Sequence, residues 1–232
     1  MIEDNSNNYR CNFEAISYGE IVFDRINNIL YPGGAPFNFA CYLNKLGVSV
    51  SMVSSVGEDV LGLRALEFLS NEGVDTQYVV KNSRQTGIAE VTVVDGMTEF
   101  HLSEDSAWLD IPAPSTISWR PKSLMYFGTV SQVSEFNKRS IYNIYLSKPK
   151  HVLLDLNLRK GLYTDETVLN SINMASVLKM NNEEWRLVRD IDKTITIDTL
   201  IEKYRVELIA ITYGADGAEI YSCDGKSTVP SK

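Results

Sequence analysis

Four short apolar runs in the second half of the chain, SLMYFG (123–128), HVLLDLN (151–157), SVLKMN (176–181) and ELIAITYG (207–214), alternate with helix-compatible segments such as EFNKRSIYNIYLSK (135–148). Runs of this length, nearly continuous in apolar residues and spaced by helices, predict strands of a parallel sheet covered by helices on both faces. The first half follows the same order. AISYGEIVFD (15–24) reads as an opening strand, a helix begins at Pro36, VSVSMVSSVG (48–57) reads as a strand, and Leu63, Leu66 and Leu69 mark a second helix ending near Gly73. Two strands then flank Asp95-Gly96, and two more flank Asp224-Gly225, each pair with the dipeptide of a tight hairpin. No internal repeat, low-complexity tract or linker interrupts this order, so residues 1–232 are expected to form one α/β domain with a small β excursion.

Bulk properties narrow the partners. The chain carries a net charge of −8 with scattered basic residues, which offers no footprint for nucleic acid or an anionic membrane. No apolar run approaches a membrane span, and the polar start MIEDNSNNYR is not a signal peptide and reads as a disordered tail. Cys11, Cys41 and Cys223 are odd in number and far apart, so neither a disulfide framework nor a zinc pattern is offered, and a reducing cytoplasm fits. His101 and His151 lack paired ligand spacing.

Chemistry in an open α/β sheet gathers beyond the carboxyl ends of its strands. Asp24 follows GEIVF; Asn157 and Arg159 follow HVLLDL; Asn181 and Glu184 follow SVLKM; Thr212, Gly214 and Gly217 follow LIAI. Each has a structural alternative: Asp24 as a turn former, Arg159 in a surface ion pair, the glycines of TYGADG as hairpin punctuation. Taken together, Asp24 and Asn157 offer hydrogen bonds to a polyhydroxylated ligand, and Arg159 a rigid charged fork to position it. Glu184 is suited to organising a magnesium ion through water, and Thr212 with the bare backbone of Gly214 and Gly217 admits a nucleotide. Two ligands meeting in one crevice suggest group transfer. The stretch YPGGAPFNFACYLNKLG (31–47) places Gly33 and Gly34 before a helix with Phe39, Ala40, Leu43 and Leu46 on one side and Gly47 as its left-handed stop. Those two glycines either make a tight turn or leave the chain bare for a ligand.

These residues resemble the PfkB, or ribokinase-like, family of carbohydrate kinases. GGAPFNFACYLNKLG with VSSVGEDVLG resembles its first signature and GEIVFD its opening strand, while DLNLRKGLY, KMNNEEW and ITYGADGAEIY follow in the family's order from about Gly19 to Tyr221. DLNLR and GGAPFN look most like the fructokinases, which phosphorylate fructose with ATP and magnesium; ribose, adenosine and sugar-acid members of the family are the alternatives. The resemblance implies a three-layer α/β/α fold with a mostly parallel sheet and a small β-sheet lid, its strands near 15–31 and 87–104, that closes over the sugar and often forms a homodimer contact. It assigns Asp24, Gly33, Gly34, Asn38, Asn157 and Arg159 to the sugar pocket, Asn181 and Glu184 to magnesium and phosphate, and Thr212, Gly214 and Gly217 to ATP. On that reading the two glycines admit sugar hydroxyls to the main chain, and Phe100 belongs to the lid.

One departure stands out. The family's second signature, D-T-x-G-A-G-D, occurs nowhere in this sequence. In the family its glycines bind the transferring phosphate at a helix start and its last aspartate is the general base. Asp216 lies inside the T-x-G-x-x-G turn and reads as a turn residue. The expectation is therefore a sugar kinase chain lacking its C-terminal part and impaired in turnover, or else a sugar-binding protein derived from one.

Overall fold

Residues 13–94, 97–103 and 105–231, which the computed structural model describes, build two sheets and six helices. The tail read over 1–10, Cys11, the Asp95-Gly96 turn and the Phe100 side chain lie outside the described residues. The chain opens with β1 (Glu14–Tyr18), β2 (Val22–Ile26), β3 (Ile29–Gly33), α1 (Ala35–Lys45), β4 (Ser49–Gly57), α2 (Val60–Asn71) and β5 (Asp75–Asn82). It continues through β6 (Gly87–Val94), β7 (Met97–Leu102), β8 (Ser123–Gly128), α3 (Glu135–Leu146), β9 (His151–Asp155) and α4 (Asp165–Met174). It finishes with β10 (Val177–Asn181), α5 (Asn182–Ile191), α6 (Ile197–Glu202), β11 (Leu208–Thr212), β12 (Ala218–Ser222) and β13 (Gly225–Val229).

The large sheet has the order β13-β12-β11-β10-β9-β8-β1-β4-β5, parallel from β11 to β5 and antiparallel only at β12 and β13. The small sheet has the order β3-β2-β6-β7, with β2 and β6 parallel and the outer pairs antiparallel.

AISYGEIVFD is not one strand, as its apolar run suggested. It breaks at Gly19, whose N–H donates to Val53 O while its own carbonyl accepts from Ser54 Oγ, so residues 14–18 stay in the large sheet and 22–26 cross into the small one. The small sheet therefore begins at Val22, and Asp24 sits mid-strand rather than at a strand end.

Helix α1 starts where the missing N–H of Pro36 costs nothing, and ends at Gly47, whose φ of 85° takes the left-handed stop. It buries Phe37, Ala40 and Cys41, whereas Leu46, read as part of the buried face, is 78 % exposed. Leu63 of α2 likewise faces solvent; Gly62, Ala65 and Leu69 form the packed face. Each fully buried large side chain, such as Phe37 or Leu69, contributes about 1.5–3 kcal/mol.

One face of the large sheet is covered from β1 to β11: Tyr18, Phe127, Leu154, Met180 and Ile211 join a core that includes Ile141, Val168, Val188 and Leu200 from α3 to α6. On the other face, α1 and α2 cover β5, β4, β1 and β8 through Met52, Leu124, Phe37 and Leu69. From β9 to β11 that second face is open among the described residues. There the strands alternate between buried and more exposed positions: Leu153 of β9 still packs at the border of the α1–α2 core, while Val177, Lys179 and Leu208 point to the open side. The expectation of cover on both faces holds for only half the sheet. Asp155 and Lys179, which break the apolar runs, pair with each other at 2.9 Å on that open face.

Candidate active site

The carboxyl ends of β11, β10, β9, β8 and β1 lie in a row, and the chain order turns between β8 and β1. Such a switch point opens a crevice. A cavity of about 200 Å³ sits there, lined by Asp24, Gly34, Asn38, Asn157 and Arg159. Five of the six residues read as the sugar side are thus brought together, from β2, the start of α1 and the loop after β9. Val22, Ala89 and Leu102 of the small sheet also line it, as do Val130 and Glu20. A larger cavity of about 870 Å³ lies at the amino ends of β1, β4 and β5, beside Glu14, Ser49 and Asp75, and contains none of the predicted site residues.

Asp24 is half-buried. Burial raises its carboxyl above the usual aspartate range, against the opposing pull of Arg159. Gly33 is not in the cavity wall; a Cβ there would stand 2.5 Å from Asp24 Oδ2, so the bare position makes room for that carboxylate. Gly34, at a φ of 104°, presses against the Glu20 carbonyl oxygen, into which a Cβ would run. The missing side chains make room for Asp24 Oδ2 at Gly33 and for the Glu20 carbonyl oxygen at Gly34, while Gly34 also lines the cavity.

The loop after β9 is held from two sides. Leu156 N–H donates to Lys179 O (3.0 Å), and Leu158 N–H donates to Glu184 Oε1 (2.8 Å). Between them Asn157 adopts a φ of 42°, a conformation that asparagine tolerates better than most residues. Arg159 donates to Leu158 O through Nη1 at 3.3 Å.

Glu184 is 6 % exposed, and its second oxygen accepts from Asn181 N–H (2.7 Å) while Asn181 Oδ1 accepts from Glu184 N–H (2.8 Å), a reciprocal capping box on α5. Both carboxylate oxygens therefore hold main chain. No group of three or more His, Cys, Asp or Glu suited to a metal occurs among the described residues. The donor set fits a magnesium ion only through water, on the lone pairs of Glu184 that the backbone leaves.

Asn181 and Thr212, read from the sequence as metal-side and nucleotide-side residues, are partners in register on β10 and β11. Gly214 has a φ of 61° with nothing within 4 Å of where a Cβ would stand. Gly217 instead packs against Val229 O of β13, so hairpin geometry alone accounts for it.

Glu20 escaped sequence reading. It lies just past the break after β1, 4 % exposed, and accepts from Ser131 Oγ at 2.6 Å. The available signal was a Gly-Glu pair at the end of the first parallel strand, hidden because the apolar run continues through Ile21, Val22 and Phe23.

A mostly parallel three-layer domain with a sugar-sized crevice beneath a small sheet defines a ribokinase-like protein. The pattern of the pfkB family carbohydrate kinases matches residues 6–232, and the chain belongs to that family. It is 28 % identical over 213 residues to the sugar kinase PH1459 of Pyrococcus horikoshii, covering 87 % of this chain and 66 % of that one. It is 27 % identical over 202 residues to a fructokinase of Escherichia coli, covering 82 % and 66 %. The crystal structure of PH1459 in complex with ATP superposes with a TM-score of 0.80 at 26 % identity, covering 95 % of this chain and 77 % of that one. The fructokinase of Vibrio cholerae in its fructose-, ADP- and calcium-bound form gives 0.81 at 22 % identity, covering 95 % and 77 %, a likeness of fold. The chain spans about two thirds of the length of these curated relatives. No helix among the described residues is long and apolar enough to cross a membrane.

Proposed function

We propose that this chain binds a neutral sugar, fructose by preference, in the cavity between Asp24 and Arg159, and ATP with magnesium along the adjoining ends of β10 and β11, as the ligand-holding part of a fructokinase-type phosphotransferase. The observation that carries this reading is the convergence of Asp24, Asn38, Asn157 and Arg159 on one cavity at the switch point. An acceptor carboxylate, two amides and a guanidinium suit hydroxyl groups, because together they both accept and donate. Magnesium, when bound with ATP, would neutralise phosphate charge as the γ-phosphoryl group moves. The role of Glu184 is then to fix the 157–159 loop against α5 and to reach the ion through water. The described residues assign no general base, since the D-T-x-G-A-G-D segment is not in this sequence. The second reading is a sugar-binding or regulatory protein derived from such a kinase, which binds sugar without turning it over.

A cytoplasmic setting is part of the proposal, supported by the free thiols of Cys41 and Cys223. So is a homodimer contact through the small sheet, where Ile29 is 54 % and Tyr31 48 % exposed. Neither nucleic acid nor membrane enters it. Calorimetry of the chain with fructose, and separately with ATP and magnesium, tests the reading. Fructose binding that drops at least about tenfold in Arg159→Ala is expected; binding of ATP with no affinity for any sugar would refute it. A coupled phosphorylation assay on the same chain separates the kinase from the non-catalytic reading.

A further inference from the structure

Glu20 has no place in the site as the sequence defined it, yet its buried carboxyl stands at the neck between the two sheets. Three segments meet around it. Ser17 Oγ donates to Pro36 O at 2.7 Å and Gly19 packs against the Pro36 ring, tying the end of β1 to the first turn of α1. Ser131 Oγ donates to Glu20 Oε2 at 2.6 Å, bringing in the turn that follows β8. Gly34 lies on the Glu20 carbonyl oxygen, with the place of its missing Cβ 3.5 Å from Glu20 Cγ.

Helix α1 needs such a neighbour. Its N-cap is Gly34, which has no side chain to accept from the first free N–H groups, and its first turn contains no acidic residue. Helix starts normally receive a side-chain acceptor or a negative charge there. Glu20, on another element and buried against that start, is the acidic side chain nearest to hand, with its Cγ 3.5 Å from the place of the missing Gly34 Cβ. Burial drives its carboxyl upward, opposed by Ser131, by nearby main chain and by the charge of Arg159.

We propose that Glu20 is a positioning residue for the sugar site: its carboxylate caps α1 from outside the helix, locking Gly34 and Asn38 against the Ser131 turn and setting the small sheet's Asp24 at its working distance from Asn157 and Arg159. This rests on the sugar-binding reading above. Glu20 serves both sides of the cavity because it sits where the chain leaves the large sheet for the small one, two residues past β1 and two before β2.

The test compares the chain with Glu20→Gln and Glu20→Ala, reading fructose affinity, ATP affinity and the amide resonance of Ala35. Glutamine keeps an acceptor oxygen of the same reach, whereas alanine removes it. The expected result is a fructose affinity at least about tenfold weaker in Glu20→Ala, restored to within about threefold by Glu20→Gln, with ATP affinity unchanged and the Ala35 amide displaced in the alanine variant only. Three results overturn the proposal: equal fructose affinity in all three proteins, loss of fructose and ATP binding together in Glu20→Ala, which would mark a purely structural residue, or an Ala35 amide that ignores both substitutions. If the unmodified chain binds no sugar, the sugar-site reading itself falls and the positioning role with it, a result distinct from equal affinities.

Discussion

Removing the carboxylate of Glu184 should damage two places at once. Its Oε2 accepts from Asn181 N–H within the α5 cap, and its Oε1 accepts from Leu158 N–H, 26 residues away in the sugar-side loop. Loss of the cap half costs about 1 kcal/mol, in the usual range for a helix N-terminus. Loss of the second, charge-assisted bond costs about 2 kcal/mol, because it strands a part-buried donor. Glu184→Ala is thus expected to lose about 3 kcal/mol, which for an m-value of about 2–3 kcal/mol/M moves a urea midpoint down by about 1 M or slightly more. Glu184→Gln keeps one oxygen but turns an NH₂ toward the other N–H, so it should recover only about half of that loss. Fructose affinity should fall in both variants as the 157–159 loop loosens. Urea unfolding followed by circular dichroism, with calorimetry on the folded variants, reads both effects. A midpoint for Glu184→Ala within about 0.2 M of the parent, or a glutamine variant indistinguishable from it, would refute the argument.

Three further outcomes follow from the same geometry. Gly34→Ala should fold poorly, with strain at positive φ added to a collision with backbone, at a cost of about 2–4 kcal/mol, whereas Gly33→Ala meets only the mobile end of Asp24 and should fold while losing sugar affinity; thermal melts and fructose titrations that rank the two alike would contradict this. Asp24 holds its proton more tightly folded than unfolded, so its contribution favours folding below the unfolded pKa and is lost as pH rises through the folded one. Asp24→Asn should accordingly gain in Tm relative to the parent from about pH 4 upward while binding fructose less tightly, and parallel Tm–pH curves would count against burial as the cause. Burial, with Glu72 adding to it, pushes the Cys41 thiol up to about 11, so at pH 8 a thiol reagent should label exposed Cys223 well ahead of Cys41; peptide mapping that finds them labelled together would reject that order.

The parallel sheet was readable because β8 to β11 are apolar runs punctuated by helices, and α1 because Pro36 and Gly47 bracket its hydrophobic spacing. The candidate site was readable wherever a polar residue stands at a strand end or just past it, as Thr212 and Asn157 do. What escaped depends on contacts that no local window contains. The crossing at Gly19 lies inside an unbroken apolar pattern, and only the pairing of Tyr18 with Val53 ends β1 there. Glu184 looks like an ordinary capping glutamate, since its reach to Leu158 is set by the packing of β9 against β10. Leu46 and Leu63 have helical spacing but no opposing surface, because burial is decided by the neighbouring sheet and not by periodicity.

The outermost described strand of the large sheet, β13, is exposed at all five residues, and only its inner side is bonded, to β12. Its outward row of amides and carbonyls can template the backbone of another polypeptide, beside open-side residues such as Ala218 and Val229, and no proline within Gly225–Val229 blocks such growth. Any edge-to-edge pairing of copies here would meet Lys226, and a charged replacement at Val229 would close the border further.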